Sequence, residues 1–472
     1  MKGKQYDLVV VGSGPAGEKA AAHAAYFGKS VALVERHHNL GGVVVSNAGI
    51  PTKTMREAAL YVTGFRKRDI YGLGLQMQPE LTLMLLRQRT AEVIGTMAKQ
   101  VRHNMDRHGI DVIRGTARLI GPNTVSVAAG RATRELEGHA ILLATGSRPF
   151  HPNDVPFDDP DVHDSETVLD IDHAFPSMLV IGSGAVGSEY ASIMASLGIR
   201  VTLVEAGPRI LAIADGEMST ELARNMALEG IDIHTNTRTE SISRERGRLT
   251  VALSDGKKLR PGKVLFAVGR TSNSDDLGLE EVGVELGNRG SVLVDERFQT
   301  SVPSIFAAGD LIGPPGLASV SVEQGRVAAS AACGTSYASS GQFVAPSGVY
   351  SIPEVAWVGL TEEQAIERGV RYAVGRSDFR GNSRANIGGM TDGLVKLIFD
   401  PKDRRVLGAH AVGEIAAEII HIAQAVIQFN GDLDYFVHAT FNVPTWSDAF
   451  KMAAFDGLGK LEASSLVRSA TI

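Results

Sequence analysis

One signal occurs twice along the chain. The apolar run Tyr6–Val11 enters Gly12-Ser-Gly14-Pro-Ala-Gly17, a helix-like stretch follows from Glu18 to Phe27, and a second strand-like run, Ser30–Val34, ends in Glu35. The plan returns at Met178–Ile181, Gly182-Ser-Gly184-Ala-Val-Gly187, Ser188–Ser196 and Ile199–Val204, ending in Glu205. In each copy the acid follows the first glycine by 23 positions. In a strand–turn–helix–strand unit the first glycine makes a tight turn, the second lets backbone approach a pyrophosphate, and the third lets helix and strand pack closely. The helix N-terminus then faces the phosphates, and the acid accepts from a ribose diol. One such motif is a weak signal. Two in register predict two dinucleotide sites, and a flavin with a nicotinamide is the natural pair because hydride passes between them.

The 472 residues suffice for about three domains of roughly 150 residues. Fifty-two glycines and only 6% aromatics suit an α/β protein with many tight turns. A single cysteine, Cys333, cannot close an intrachain disulfide, build a Cys-based zinc site or cycle between dithiol and disulfide. No metal-ligating set is identified. A net charge of −6 gives no basic footprint for nucleic acid. No run approaches the ~20 apolar residues of a membrane span, and Leu8–Val11 is too short for a signal-peptide core. A cytoplasmic protein is expected.

The motif set Gly12–Gly17, Leu40-Gly-Gly42, Ile50-Pro-Thr-Lys53, Ala144-Thr-Gly146, Gly182–Gly187 with Glu189, Val268-Gly-Arg270 and Ala308-Gly-Asp310 resembles the pyridine nucleotide-disulfide oxidoreductase family. The C-terminal stretch from Pro353-Glu-Val-Ala-Trp-Val-Gly359 to Pro444-Thr445 extends the likeness over nearly the whole chain. The resemblance implies two Rossmann-like dinucleotide-binding domains plus a C-terminal α+β dimerisation domain. FAD would occupy residues 1–150, NAD(P) 151–275, a central domain 276–342 would complete the FAD site, and 343–472 would pair two copies into a homodimer. Ala338-Ser-Ser-Gly341 reads as a linker. Within the family the chain is most similar to soluble pyridine nucleotide transhydrogenases, through Lys53–Tyr61, Glu189-Tyr-Ala-Ser192, Gly413–His421 and Thr440–Thr445.

Departures from the family pattern decide the expected chemistry. Where disulfide reductases carry a redox pair, this chain has Val44 and Gly49. Neither forms a thiolate. Val443 stands where the family's proton-shuttling histidine would be, and Asp448 replaces the glutamate that orients it. Valine is neither acid nor base. His438 lies six residues before Pro444, off the catalytic position, and reads as structural. Cys333, in the Ala-rich Val327–Cys333, reads as a small buried hydrophobe. The flavin and nicotinamide apparatus remains, and hydride transfer needs proximity and orientation more than a protein acid.

By resemblance, Lys53 and Glu189 form an ion pair where hydride arrives, the cation stabilising negative charge on the flavin. Asp310 would hold ribityl hydroxyls, Ala318 would offer its N–H near the pyrimidine edge, and Ala117, Thr145 and Gly146 would line the adenine side. Gly12, Gly14, Gly17 and Glu35 complete the FAD set. Gly182, Gly184, Gly187, Glu205 and Gly269 form the nicotinamide nucleotide set. Ala185 stands where some relatives place a tyrosine gate, implying an open pocket. Glu205 favours NAD(H), because a carboxylate accepts from a 2′-hydroxyl and repels a 2′-phosphate. Arg209 either turns toward such a phosphate or makes a local contact, and the sequence leaves both open. Glu418-x-x-His421 is half a di-iron motif without a second copy and reads as a helix face. Arg244-Glu-Arg246-Gly-Arg248 reads as a solvated hairpin turn.

Hydride transfer between NAD(H) and NADP(H) through FAD is the expected function. An NAD(P)H dehydrogenase with a quinone or other small acceptor is the alternative, and a non-catalytic flavin scaffold or redox sensor a third.

Overall fold

A computed structural model describes residues 4–64, 79–336 and 343–470. The linker expected at Ala338–Gly341 lies outside them. The chain forms two compact units, one of Met1–Thr54, Arg87–Phe150 and Gly269–Phe343, the other of Met55–Leu86, His151–Val268 and Val344–Ile472.

The first unit is built on parallel strands in the order Asp111–Arg114, Val31–Glu35, Gln5–Val11, Ala132–Leu143. Ile305–Ala307 adds in parallel to the end of the last of these. The central strands read as continuous apolar runs because both faces are covered: Leu8, Val9, Val10, Leu33 and Leu142 are fully buried. Each such side chain contributes roughly 1.5–3 kcal/mol of burial. Helix Pro15–Tyr26 starts with proline in its first turn, where the missing N–H is no loss. It packs against helix Ala318–Cys333, and the approach is tight. A Cβ at Gly325 would lie 2.2 Å from the Ala16 carbonyl oxygen, so no other residue fits there. Strands Thr116–Gly121 and Thr124–Ala129 form an antiparallel meander on the outer half of Ala132–Leu143. Cys333 closes its helix half-buried, and burial pushes its thiol up to about 11. It is therefore not a thiolate at neutral pH.

The second unit contains a parallel sheet in the order Asp232–His234, Arg200–Val204, Ser177–Ile181, Lys263–Phe266, Val162–His163. Helix Ala185–Ser196 packs on it. Strands Thr239–Glu245 and Arg248–Leu253 form a hairpin, as the charged run suggested. Arg246 and Gly247 turn it with φ of 50° and 78°, the positive pair of a type I′ turn. Arg244 folds back onto Asp159 and Asp161 at 2.7 and 2.6 Å.

The C-terminal part of the same unit is an antiparallel sheet of Ser347–Val349, Glu354–Gly359, Val406–Gly413, Leu394–Phe399 and Ala373–Asp378. Helices Ala416–Gln428 and Asp448–Ala470 cover it over a core of Phe379, Phe399, Phe436 and Phe450. His421 bonds Gln424 at 2.8 Å on the exposed side of its helix, in keeping with a helix face. His438 is exposed at the end of helix Leu433–His438. The chain is thus a mixed α/β protein with two Rossmann-like sheets and a C-terminal α+β region.

Glu354 opens its strand with a buried carboxylate that accepts from Ala417 N at 3.0 Å, at the start of helix Ala416–Gln428. Arg56 lies 3.4 Å away. Burial dominates and pushes the Glu354 carboxyl up to about 7, against the opposing pull of Arg56 and the Ala417 N–H. A carboxyl with a raised folded-state pKa binds its proton more tightly folded than unfolded. Its contribution to stability is therefore present at low pH and lost as pH rises from about 4.5 through about 7. Glu354→Gln should flatten that part of the profile, with the largest gain above pH 7, on the order of 1–3 kcal/mol. Thermal unfolding of both proteins at pH 5.5 and 8 measures it, and equal pH slopes would contradict the assignment.

Candidate functional site

The two Gly turns share one construction. Gly12 and Gly182 sit at φ of 102° and 91°, and a Cβ there would lie 2.3 Å from the Ala144 oxygen and 2.6 Å from the Ala267 oxygen. A Cβ on Gly17 or Gly187 would lie 1.9 Å from the carbonyl oxygen of Gly12 or Gly182. The middle glycines differ: a Cβ on Gly14 or Gly184 meets nothing within 4 Å. The first and third glycines are thus required by the protein's own packing. The second leaves open space at a helix N-terminus.

Those N-termini lack internal caps. Gly14, Gly184 and Leu317 precede their helices with no side-chain cap bond, whereas Asp215, Thr361, Asn382 and Asp432 each accept from the first turn of theirs. Uncapped N–H groups with a positive dipole end suit an anion such as pyrophosphate.

The acid of each motif is tied to its own turn. Glu35 Oε2 accepts from Ser13 N at 3.0 Å and Ser13 Oγ at 2.7 Å, and Oε1 accepts from His37 N at 2.8 Å. Glu205 repeats the pattern with Ser183 N at 2.9 Å, Ser183 Oγ at 2.5 Å and Gly207 N at 2.7 Å. Burial works to raise the Glu205 pKa, but the Ser183 hydroxyl and the N–H groups of Gly207, Ser183 and Ala206 outweigh it and hold the carboxyl below its ordinary value. Ser13 and Ser183 were not singled out from the sequence. Their signal was available, since both motifs read Gly-Ser-Gly.

The first unit gathers the other residues expected around a flavin nucleotide. Asp310 accepts from Ser147 Oγ at 2.8 Å, and Ser147 Oγ accepts from Arg270 Nε at 2.7 Å. Thr145 Oγ1 donates to the Asn273 carbonyl at 2.8 Å, and Gly146 turns at φ 71°. Ala117 lies buried opposite Val127 in the meander, while Ala318 is exposed at its helix start. Lys53, on helix Ile50–Thr63, donates to Thr52 Oγ1 at 3.3 Å. Gly269, expected in the nicotinamide nucleotide set, belongs to this first unit, exposed at φ 127° with its carbonyl accepting from Phe150 N at 3.0 Å. An uncapped helix, open space over Gly14 and a tied acid fit FAD.

The dithiol positions come together without sulfur. Val44 and Gly49 are half-buried, and a Cβ on Gly49 would lie 2.9 Å from Val44 Cγ1. The valine side chain occupies space that a side chain at position 49 would need. Val443, at the proton-shuttle position, is 79% exposed in the second unit.

Glu189 belongs to the second unit, buried on helix Ala185–Ser196, with Oε1 accepting from Tyr350 N at 2.9 Å. Half-buried Ala185 begins that helix. Arg209 is engaged locally: it donates to Glu363 at 2.7 Å and to the carbonyls of Ala212 and Ala214, both at 3.2 Å. This decides between the two readings the sequence left open for it. Asp215, Glu217 and Glu362 bring carboxylate oxygens together in a group that could hold a metal ion. The buried Lys396 ammonium instead pairs with all three, at 2.7 Å from Asp215 and 3.2 Å from Glu217. Among the described residues no helix is long and apolar enough to cross a membrane.

Residues 6–325 match the family described as pyridine nucleotide-disulphide oxidoreductase, and residues 345–454 match its dimerisation domain. The chain is 40% identical over 467 residues to the soluble pyridine nucleotide transhydrogenase of Mycobacterium bovis, covering 98% of this chain and 100% of that one. It is 37% identical to that of Colwellia psychrerythraea, covering 98% and 99%. LpdA from Mycobacterium tuberculosis has a similar structure, with a TM-score of 0.88 at 26% identity over 96% of this chain and 99% of that one. The HOCl-induced flavoprotein disulfide reductase RclA from Escherichia coli superposes at 0.86 with 27% identity, covering 96% and 99%.

The contrast between glycines gives a test. Gly14→Ala should fold with unchanged thermal stability when stripped of cofactor, yet bind FAD at least about tenfold more weakly, because the methyl enters the space a pyrophosphate needs. Gly17→Ala should fail to fold or unfold many degrees lower, because its methyl meets the Gly12 carbonyl. Unaltered FAD affinity in Gly14→Ala, by fluorescence titration, would contradict this.

Proposed function

The chain belongs to the pyridine nucleotide-disulphide oxidoreductase family, and we propose that it moves hydride between NAD(H) and NADP(H) through FAD, with no dithiol step. The observation that carries this reading is two Gly turns, each with an uncapped helix start and a tied acid, together with valine and glycine where disulfide reductases of the family carry their redox pair. Relatives named soluble pyridine nucleotide transhydrogenases at 37–40% identity over the full length support it. Bound FAD supplies a two-electron acceptor and donor for the nicotinamide. The net exchange is NADH + NADP⁺ to NAD⁺ + NADPH, which balances without a further oxidant or reductant.

In this reading residues 1–150 bind FAD, 151–275 bind the nicotinamide nucleotides, 276–342 complete the FAD site and 343–472 pair the chain into a homodimer of the cytoplasm. Gly12, Gly14 and Gly17 receive the FAD pyrophosphate, and Glu35 its adenosine ribose. Asp310 accepts from the ribityl hydroxyls, Ala318 donates its N–H to the pyrimidine edge, and Ala117, Thr145 and Gly146 flank the adenine. Gly182, Gly184, Gly187, Glu205 and Gly269 receive the nicotinamide nucleotide. Lys53 offsets negative charge gained with the hydride, and Glu189 is its counter-ion.

The tied Glu205 and engaged Arg209 favour a second reading, an NAD(P)H dehydrogenase passing electrons to a quinone or other small acceptor. A purified enzyme that transfers hydride from NADH to thio-NAD or NADP⁺ with parallel double-reciprocal lines supports the transhydrogenase. Intersecting lines, or turnover with quinones alone, support the dehydrogenase. Lys53→Ala should slow NADH-driven loss of flavin absorbance by about 10²-fold while NADH affinity stays within about threefold, since removing a stabilising charge acts on the transition state. Weakened binding at an unchanged rate, by stopped-flow, would make Lys53 a structural charge.

Glu205→Ser should shift the NADH-over-NADPH preference by about one to two orders of magnitude, the effect of a charge-assisted contact worth roughly 1.5–3 kcal/mol. The ratio of kcat/KM values measures it, and an unchanged ratio would remove Glu205 from coenzyme choice.

A further inference from the structure

The carboxylate proposed as counter-ion in the hydride step is held by a turn of the C-terminal region. Glu189 Oε1 accepts from Tyr350 N at 2.9 Å. Ser192, three positions later on helix Ala185–Ser196, accepts from Ile352 N through its hydroxyl oxygen at 3.1 Å. The same hydroxyl donates to the Glu189 carbonyl at 2.9 Å. Glu189, Ser192, Ser351 and Ile352 are all buried. The direction of the Glu189 carboxylate therefore follows the placement of the 350–352 backbone.

That backbone is also bound by Arg56. This residue lies on helix Ile50–Thr63, three positions after Lys53, and is 3% exposed. Its Nε donates to the Ser351 carbonyl at 3.2 Å, between the two residues tied to helix Ala185–Ser196. Its Nη1 lies 3.4 Å from Glu354 Oε1 and donates to the exposed Glu57 at 2.5 Å. Glu354 is itself fixed, since its other oxygen accepts from Ala417 N at 3.0 Å. Between these two points Ser351 Oγ donates to the Pro353 carbonyl at 2.7 Å. One guanidinium thus holds the segment at Ser351 and at Glu354.

Burying a guanidinium costs free energy that an apolar side chain of similar volume avoids. Nη2 is buried and has no hydrogen-bond partner among the described residues, so this arrangement is not the one that stability alone would select. What the guanidinium supplies and an apolar residue lacks is direction, a planar fork of donors that fixes a carbonyl and a carboxylate at once.

We propose that Arg56 is a positioning residue for the hydride step: it fixes the 350–352 turn, whose Tyr350 N–H holds the Glu189 carboxylate. The inference rests on the proposed role of Glu189 as counter-ion.

The test follows NADH-driven loss of flavin absorbance by stopped-flow in FAD-loaded, full-length protein at pH 8, above the Glu354 pKa of about 7. Arg56→Met should slow flavin reduction about tenfold while the Kd for NADH changes less than about twofold, because a misplaced charge acts on the transition state. Arg56→Lys keeps the charge but not the fork. It should slow reduction about threefold, and it carries the test if Arg56→Met does not fold. In a Glu189→Gln background the amide oxygen can still accept from Tyr350 N, but no charge remains to be placed. There either Arg56 substitution should change the rate by less than about twofold. A loss of undiminished size in that background would make Arg56 a purely structural residue and overturn the proposal. An unchanged rate in Arg56→Met, or a loss carried by NADH affinity alone, would overturn it as well. A wild-type reduction rate in Glu189→Gln itself would instead remove Glu189 from the hydride step, and the proposal with it.

Discussion

A close approach of backbone to backbone, made twice, underlies both Gly turns. The third glycine of each motif lies so near the carbonyl of the first that a Cβ would sit 1.9 Å from it. That contact sets helix against strand and aims the helix N-terminus at the turn. Everything placed by the turn depends on it: the uncapped N–H groups, the open space over Gly14 and Gly184, and the serine between the glycines that meets the acid of the second strand.

The serine–carboxylate tie gives the acids a fixed direction. Glu35 and Glu205 each bind the serine of their own turn through one oxygen and the N–H two residues onward through the other. An acid held by several donors is fixed in direction, with no need for its side chain to find a rotamer when a ligand arrives. In the second copy Glu363 also binds Arg209 and Gly216 N beyond the acid, and Asp215 beside them is paired with Lys396. The three carboxylates around Lys396 are individually unremarkable in sequence. Gathered around a buried ammonium, they form an ion-pair cluster rather than a cation site.

The chemistry is shaped by what the dithiol segment became. A Cβ at Gly49 would lie 2.9 Å from both Val44 Cγ1 and the Val44 carbonyl oxygen, so the valine and the backbone leave no room for a side chain at position 49. Neither residue offers a thiol for a disulfide step. Cys333, pushed up by burial, does not substitute.

The sequence by itself determined the two cradles. Glycine spacing, apolar runs and an acid 23 positions on are local patterns, and local patterns dictate strand, turn and helix because the steric limits on backbone act within a few residues. The missing cysteines and the missing histidine were equally legible, since absence of a functional group needs no coordinates. The tertiary structure alone decided what depends on long-range meetings. Arg209 could face a phosphate or a carboxylate until Glu363, 154 positions away, was found against it. Glu354 read as part of a C-terminal motif, and its raised pKa follows from burial against a helix start some sixty residues on. Lys396 and Asp215, separated by 181 positions, carry no mutual signal in one chain read alone. Charge partners across such separations are chosen by packing, and packing is a property of the folded whole.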